Sequence, residues 1–255
     1  SGRLWKNVTA ARLMSSLFRL SKSTGLLQLE PWLAKPWLIH GFTTRPAGDF
    51  AHPEAAPEAS AGWGAAGMSL ESVRQIHSAD VHVPRAASAS TERPPADALL
   101  SSDPGRLLTV RTADCVPLLL IDEGRRAVGA VHAGWRGTAQ QIAQRVVAEM
   151  HTNFGSRPAD LEAAIGPAIG LCCYEVGDDV AARFPPGSIR PGQSNPHLDL
   201  IAENRRQLLD SGVSAQRIHA AGLCTRCDPE LFHSHRRDGQ AAGRMLALVG
   251  IREAM

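Results

Sequence analysis

The sequence has no apolar run near the roughly 20 residues that a membrane-spanning helix requires, which excludes a helical bilayer protein. It has almost no net charge: 27 Lys and Arg against 25 Asp and Glu, well interspersed, give +2 with histidine neutral. Proteins that grip nucleic acid or membrane surfaces carry a basic patch or stripe. Small-molecule partners are therefore the default, with neither nucleic acid nor membrane expected. A disulfide framework is missing too. Five cysteines, an odd number, stand without a secretory signal pattern, which points to reduced thiols and a cytoplasmic setting. Cys224-x-x-Cys227 has no second C-x-x-C pair, and the vicinal Cys172 and Cys173 make awkward joint ligands. Spacing alone leaves open whether these four form a second site. No internal repeat is visible, which excludes solenoids and propellers.

What is present is enough for a full core, since 255 residues at 44% hydrophobic content can bury one large domain. The first 29 residues hold five basic and no acidic side chains, a bias shared by organelle transit peptides and by extensions translated upstream of a start such as Met14. Residues 1–30 are accordingly expected to be a basic extension and 31–255 a single catalytic domain. The sequon at Asn7 carries no weight without a secretory context. "WLIHGFTTRPAGD" reads as a strand stopped by Pro46 and Gly48, and the Ala/Pro-rich stretch 47–66 as a loop. "LLTVRT", "VPLLLID", "AVGAVHAG", "LEAAI", "RIHAAGLC" and "GRMLALVGI" read as buried strands. Ile142, Val146, Val147 and Met150 sit at helical spacing behind a possible Thr138 cap, with Gly155 as a stop. "HLDLIAENRRQLLDSGV" is a second amphipathic helix ended by Gly212. Strands and helices interleave without a simple alternation, so the expected fold is a single α/β (α+β) domain with a mixed sheet flanked by helices.

Three residues stand out. His77 in "RQIHSADVH", Cys115 in "TVRTADCVPLLLID" and His132 in "AVGAVHAGWRGTAQQ" occupy turn-punctuated ends of apolar runs. Taken singly, a buried cysteine is most often a small apolar residue and a histidine a satisfied polar one. Together, a thiolate and two imidazoles suit tetrahedral zinc, and three protein ligands leave a fourth position for water or substrate, as catalytic sites do. Cys115 in a turn between two strands and His132 at the end of the next can lie side by side. Gly134 and Gly137 flank Arg136 ahead of a helix, a setting for an anion, or simply a solvated arginine at a helix start. Arg45, Arg236 and Arg237 are further candidates for phosphate or carboxylate, with surface solvation the plain alternative. Asp114 and Glu175 are candidates for proton handling, or for ordinary structural hydrogen bonds.

With these residues in view, the chain resembles the peptidoglycan editing factor family, also known as the multicopper polyphenol oxidoreductase or laccase-domain family. The matching segments are "QIHSADVH", "ADALLSSDPGRLLTVRTADCVPLLL", "AVHAGWRGTAQQI", "AAIGPAIGLCCYEVG" and "CTRCDPELFHSHRRDGQAAGRM", which run from about residue 36 to the C-terminus. The resemblance implies a three-layer α/β/α domain and one zinc held by His77, Cys115 and His132. It also implies purine nucleoside phosphorylase activity yielding free base and ribose 1-phosphate from adenosine, inosine, guanosine or methylthioadenosine, with adenosine deamination at the same site. Some members are implicated in keeping wrong amino acids out of peptidoglycan precursors. The chain departs from the pattern in its short, Ala/Pro-rich "TTRPAGDFAHPEAAPEASAGWG" and in His235, where the family usually has tyrosine before Arg-Arg-Asp.

Phosphorolysis needs phosphate aimed at the ribose anomeric carbon and stabilisation of the departing purine; deamination needs a metal-activated water. A copper-dependent polyphenol oxidase is disfavoured, because such sites take many histidines in several H-x-H pairs. This chain has ten His and one such pair, His233 and His235. The alternative enzyme is a cysteine hydrolase with Cys115 as nucleophile and His132 as base, acting on an amide or peptidoglycan precursor. A non-enzymatic partner of cell-wall enzymes is the remaining class, and a monomer is the favoured assembly.

Overall fold

Strands buried along their whole length set the layering of this chain. The computed structural model describes residues 17–52, 55–84 and 93–253; Asn7, Met14 and most of the basic leader lie outside the described residues. One six-stranded sheet holds β1 (Phe18–Leu20), β2 (Leu26–Leu29), β3 (Leu38–Thr43), β4 (Ser69–Ser72), β7 (Arg106–Thr112) and β14 (Met245–Ile251). Their spatial order is β1-β2-β3-β14-β7-β4. A second holds β5 (Val81–His82), β6 (Ala98–Ser101), β8 (Val116–Asp122), β9 (Ala127–Ala133), β10 (Leu161–Ile165) and β13 (Ile218–Ala220), in the order β13-β10-β8-β9-β6-β5, and β11 (Ile189–Arg190) pairs antiparallel with β12 (His197–Leu198) in a separate ribbon. Both sheets are mixed: β14 runs antiparallel to β3 and β7 while β4 is parallel to β7, and β8 is antiparallel to β9 and β10 while β13 is parallel to β10. β1 and β2 fall within the stretch 1–30 read from sequence as an extension, yet they pair with each other, and β2 pairs with β3.

The expected mixed α/β fold flanked by helices is present, and its β layer consists of two mixed sheets. Period-two alternation along β8 sends Val116, Leu118 and Leu120 toward the helices and Leu119 and Ile121 toward the first sheet. β14 divides likewise: Met245, Ala247, Val249 and Ile251 meet the second sheet, and Leu246 and Leu248 face Phe50, Ala56 and Trp63. Every residue of β8, β9 and β14 is therefore buried. Fully buried strands lose the polar alternation that marks a solvated face, and fully burying one leucine contributes about 1.5–3 kcal/mol.

The outer helical layer is Ile142–Phe154 with Leu200–Asp210. Ile142, Ala143, Val146, Val147 and Met150 are the buried stripe of the first. Gly155, in the left-handed region at φ 70°, ends it by donating its N–H to the His151 carbonyl, as the sequence predicts. The predicted Thr138 cap is corrected. Thr138 lies inside a separate short helix, Trp135–Ala139, and its Oγ1 accepts from Asn204 Nδ2 at 3.0 Å. The long helix starts only after Gln141, which takes φ 63°. The stretch 47–66 is corrected as well: Ala55–Ser60 is helical, and Ala56 and Trp63 are buried against the first sheet. Among the described residues no helix is long and apolar enough to cross a membrane.

Candidate metal centre and active site

Three neighbouring strands of the second sheet deliver the site to one end of that sheet. Val116 pairs with Ala133 and Pro117 with His132, so Cys115, just before β8, lies beside the end of β9. Ala98 pairs with Val131, which sets Asp97, just before β6, next to His132; the His132 N–H donates to the Asp97 carbonyl at 2.8 Å. His77 arrives from the loop between β4 and β5, with φ 59°. Its conformation is held from below, since the N–H groups of Ile76, His77 and Ser78 donate to the Asp97 carboxylate at 3.2, 3.1 and 2.6 Å. Ligand atoms of His77, Cys115 and His132 all lie within 4.8 Å of one another, and the two imidazoles meet edge to face at 4.9 Å.

Asp97 is fully buried and completes the cluster. Its Oδ1 lies 2.8 Å from His132 Nδ1, which fixes the tautomer and leaves Nε2 for a metal or for Cys115. Burial alone would raise the Asp97 pKa, but the His132 hydrogen bond and charge and the backbone N–H donors hold it below the usual carboxylate range. Burial would likewise raise the Cys115 thiol; His132 and His77 outweigh it and bring the thiol down to about 6. Burial would lower His132, and Cys115 with Asp97 reverse that, to about 9. The direction is mutual, a thiolate beside an imidazolium. The thiolate is already a soft ligand, and once His132 gives up its Nε2 proton, one thiolate and two imidazole nitrogens suit zinc; the cradle has room for an ion because Gly134 has no side chain. A Cβ there would stand 3.1 Å from both Cys115 Sγ and His77 Cδ2.

The other predicted residues are distributed more unevenly. Arg236 lies 5.2 Å over the ring of Tyr174, and its Nη1 donates to the Glu175 carbonyl at 2.9 Å. Arg136 is exposed and stacks 4.3 Å over Trp135. Gly137 serves packing: a Cβ there would meet the Ser78 carbonyl oxygen at 2.6 Å. Arg237 is spent on the chain itself, donating to the carbonyls of Thr225 and Phe232 and pairing with Asp238. Arg45 Nη1 donates to the Pro229 carbonyl at 2.9 Å. Asp114, at φ 89°, accepts from Thr225 Oγ1 and from the Arg236 N–H, each at 2.6 Å, so it ties the turn before Cys115 to the segment bearing Arg236. Glu175 is exposed, its Oε1 3.6 Å from His197 Nε2.

Sequence reasoning missed Asp97 and Tyr174. Asp97 has a sequence signal, a single acid interrupting the apolar run "ADALL". Tyr174 is the chain's one tyrosine. Burial, then Cys115 and Asp114, push its phenol well up against the opposing Arg236 and Arg136, so it stays neutral.

Comparisons with known proteins place the chain among relatives of one family. Residues 56–252 match the family described as multi-copper polyphenol oxidoreductase laccase. The chain is 40% identical over 165 residues to the purine nucleoside phosphorylase YlmD of Bacillus subtilis (strain 168), a match covering 62% of this chain and 59% of that protein. It is 40% identical over 156 residues to the adenosine deaminase RL5 of an unknown prokaryotic organism, covering 58% and 59%. The chain thus spans about three fifths of the length of these curated relatives. The crystal structure of YlmD from Geobacillus stearothermophilus superposes with a TM-score of 0.82 at 32% identity, covering 93% of this chain and 100% of that one.

Proposed function

The chain belongs to the multi-copper polyphenol oxidoreductase laccase family, and from that premise we propose that it is a cytoplasmic, zinc-dependent purine nucleoside phosphorylase. Its substrates are inosine, guanosine, adenosine and methylthioadenosine, which phosphate splits into free base and a ribose 1-phosphate. One observation carries the reading: His77, Cys115 and His132 converge at ligand distance, with Asp97 orienting His132, in a chain whose relative YlmD is named for this reaction. His233 and His235, the one H-x-H pair, join neither group of potential ligands among the described residues, which favours zinc over a multicopper centre.

When bound, zinc supplies Lewis-acid polarisation and water activation. The protein's part is positioning. Asp97 fixes the tautomer of His132 and the backbone around His77. Arg136 and Arg236 bind and orient phosphate, for which planar guanidinium forks are suited. Tyr174, neutral at working pH, and Glu175 hydrogen-bond the departing purine. Asp114 is a positioning residue, because both its carboxylate oxygens are engaged with Thr225 and Arg236. Arg45 and Arg237 hold the segment 225–238 in place.

Adenosine deamination is a second activity of the same centre, favoured by the relative named adenosine deaminase RL5. The chain Asp97, His132, Cys115 also has the order orienter, base, nucleophile of a thiol hydrolase. A second imidazole, His77, at the same sulfur is what a metal requires and a hydrolase does not. The experiment is release of base from inosine and adenosine, with and without phosphate, by protein of known metal content and by Cys115→Ala. Phosphate-dependent release that disappears in the variant together with the metal of this centre supports phosphorolysis. Activity that survives chelation and needs no phosphate transfers the assignment to the hydrolase.

A further inference from the structure

Four cysteines outside the centre already described converge at the same end of the second sheet. β10 and β13 run parallel, and an isolated bridge from Ala168 to Cys224 continues their pairing. The loops that leave these strands are thereby laid side by side. One loop turns at Gly170, whose carbonyl accepts from the Cys173 and Tyr174 N–H groups at 2.9 and 3.0 Å, and it presents Cys172 and Cys173. The other presents Cys224 and Cys227 across a tight C-x-x-C turn. The four sulfurs lie within 4.8 Å of one another. Cys227 Sγ is 3.6 Å from Cys172 Sγ and 3.4 Å from Cys173 Sγ.

A tetrahedral zinc with Zn–S near 2.3 Å separates its sulfurs by about 3.8 Å, close to the spacing these thiols already have. Neighbouring backbone is arranged for thiolate as well. The Gly170 N–H donates to Cys224 Sγ at 3.2 Å, and a Cβ on Gly170 would crowd Cys172 Sγ and Cys224 Cβ at 3.3 Å each. Thiols are weak hydrogen-bond formers, so four of them meeting at a partly exposed edge gain little by packing alone. We propose that Cys172, Cys173, Cys224 and Cys227 form a second zinc site, a closed tetrathiolate. The four protein ligands leave no open position, which makes the site structural. It fastens the loop bearing Tyr174 and Glu175 to the segment bearing Thr225 and Arg236, and the two meet beside Cys115 at Asp114, which takes the Ile169 N–H on its carbonyl and the Thr225 hydroxyl and the Arg236 N–H on its carboxylate. The vicinal pair, awkward as sequence, is accommodated because both thiols approach Cys227 from one turn.

The test counts metal and needs no activity, so it stands apart from the nucleoside reading. Reduced full-length protein is loaded with zinc, desalted, and its zinc per chain measured beside Cys115→Ala and Cys227→Ser. The expected result is two zinc ions in the wild type and one in each variant. Cobalt loaded into Cys115→Ala should show the charge-transfer bands of a tetrathiolate. In that variant the four cysteines should resist alkylation until a chelator is added. A metal-free Cys115→Ala protein, or one whose cysteines alkylate at the same rate with and without chelator, overturns the proposal. Cys115→Ala leaves the cluster intact, so it decides the matter even where Cys227→Ser fails to fold.

Discussion

At the scale of single residues, the site is a matter of which nitrogen and which sulfur face the same point. Asp97→Asn keeps the shape but removes the carboxylate that holds His132 Nδ1–H, and losing such an outer partner typically costs 10–100-fold in metal affinity. A competition titration against a chromophoric chelator should show a loss of about that size, with unchanged circular dichroism. His40 gives a separate, acid-side prediction. Buried on β3, with its Nε2 3.1 Å from the Leu29 N–H that donates to it, it is driven by burial down to about 4 from an ordinary 6.5. The unfolded chain then binds the extra proton first. Stability from this group is full above the unfolded pKa and is lost as pH falls toward the folded one, about 2 kcal/mol between about pH 7 and pH 5. Urea midpoints of His40→Gln should vary less with pH over that interval than those of the wild type; equal slopes would remove His40 from the account. Cys115 and His132 were legible in the sequence because each stands beside a tight turn where a plain strand would continue, and His77 because it offers a second imidazole from a separate, turn-punctuated segment. Asp97 was not singled out, since its role depends on the β6–β9 register, and Tyr174 gains meaning only beside Arg236.

At the scale of elements, helix ends follow local chemistry where a side chain or a glycine decides them. Asp199 caps Leu200–Asp210 by accepting the Ala202 N–H at 2.9 Å, so Asp199→Ala should lower the free energy of unfolding by about 1 kcal/mol. Equilibrium urea denaturation reads that value, and a change near zero would mean the cap contributes nothing. The stop at Gly155 was legible for the same reason. The Thr138 cap misread the sequence because the chain makes a short first helix and then turns through Gln141 at φ 63°, a break with no glycine or proline to announce it. Residues 47–66 looked like loop because alanine and proline mask periodicity; Trp63 and Phe50, meeting edge to face at 5.6 Å, anchor that segment to the first sheet.

At the scale of the whole molecule, β3, β7, β8, β9, β10, β13 and β14 were visible in the sequence, whereas β1, β2, β4, β5 and β6 and the division into two sheets were not. β8, β9 and β14 are apolar on both faces, and such runs read alike whether helices or another sheet lie behind them. The stacking has a functional consequence. With β8 and β9 sealed on both sides, their ends are fixed, and Cys115 and His132 inherit that rigidity, as a preorganised site requires. The central claim is that the metal held by His77, Cys115 and His132 runs phosphorolysis of purine nucleosides. It is tested most directly by following hypoxanthine release from inosine while zinc is stripped from the protein and restored, with phosphate present and absent. Release should need phosphate, vanish with the metal, return as zinc is added back, and be missing throughout in Cys115→Ala. Release without phosphate, or undiminished release from zinc-free protein, would contradict it.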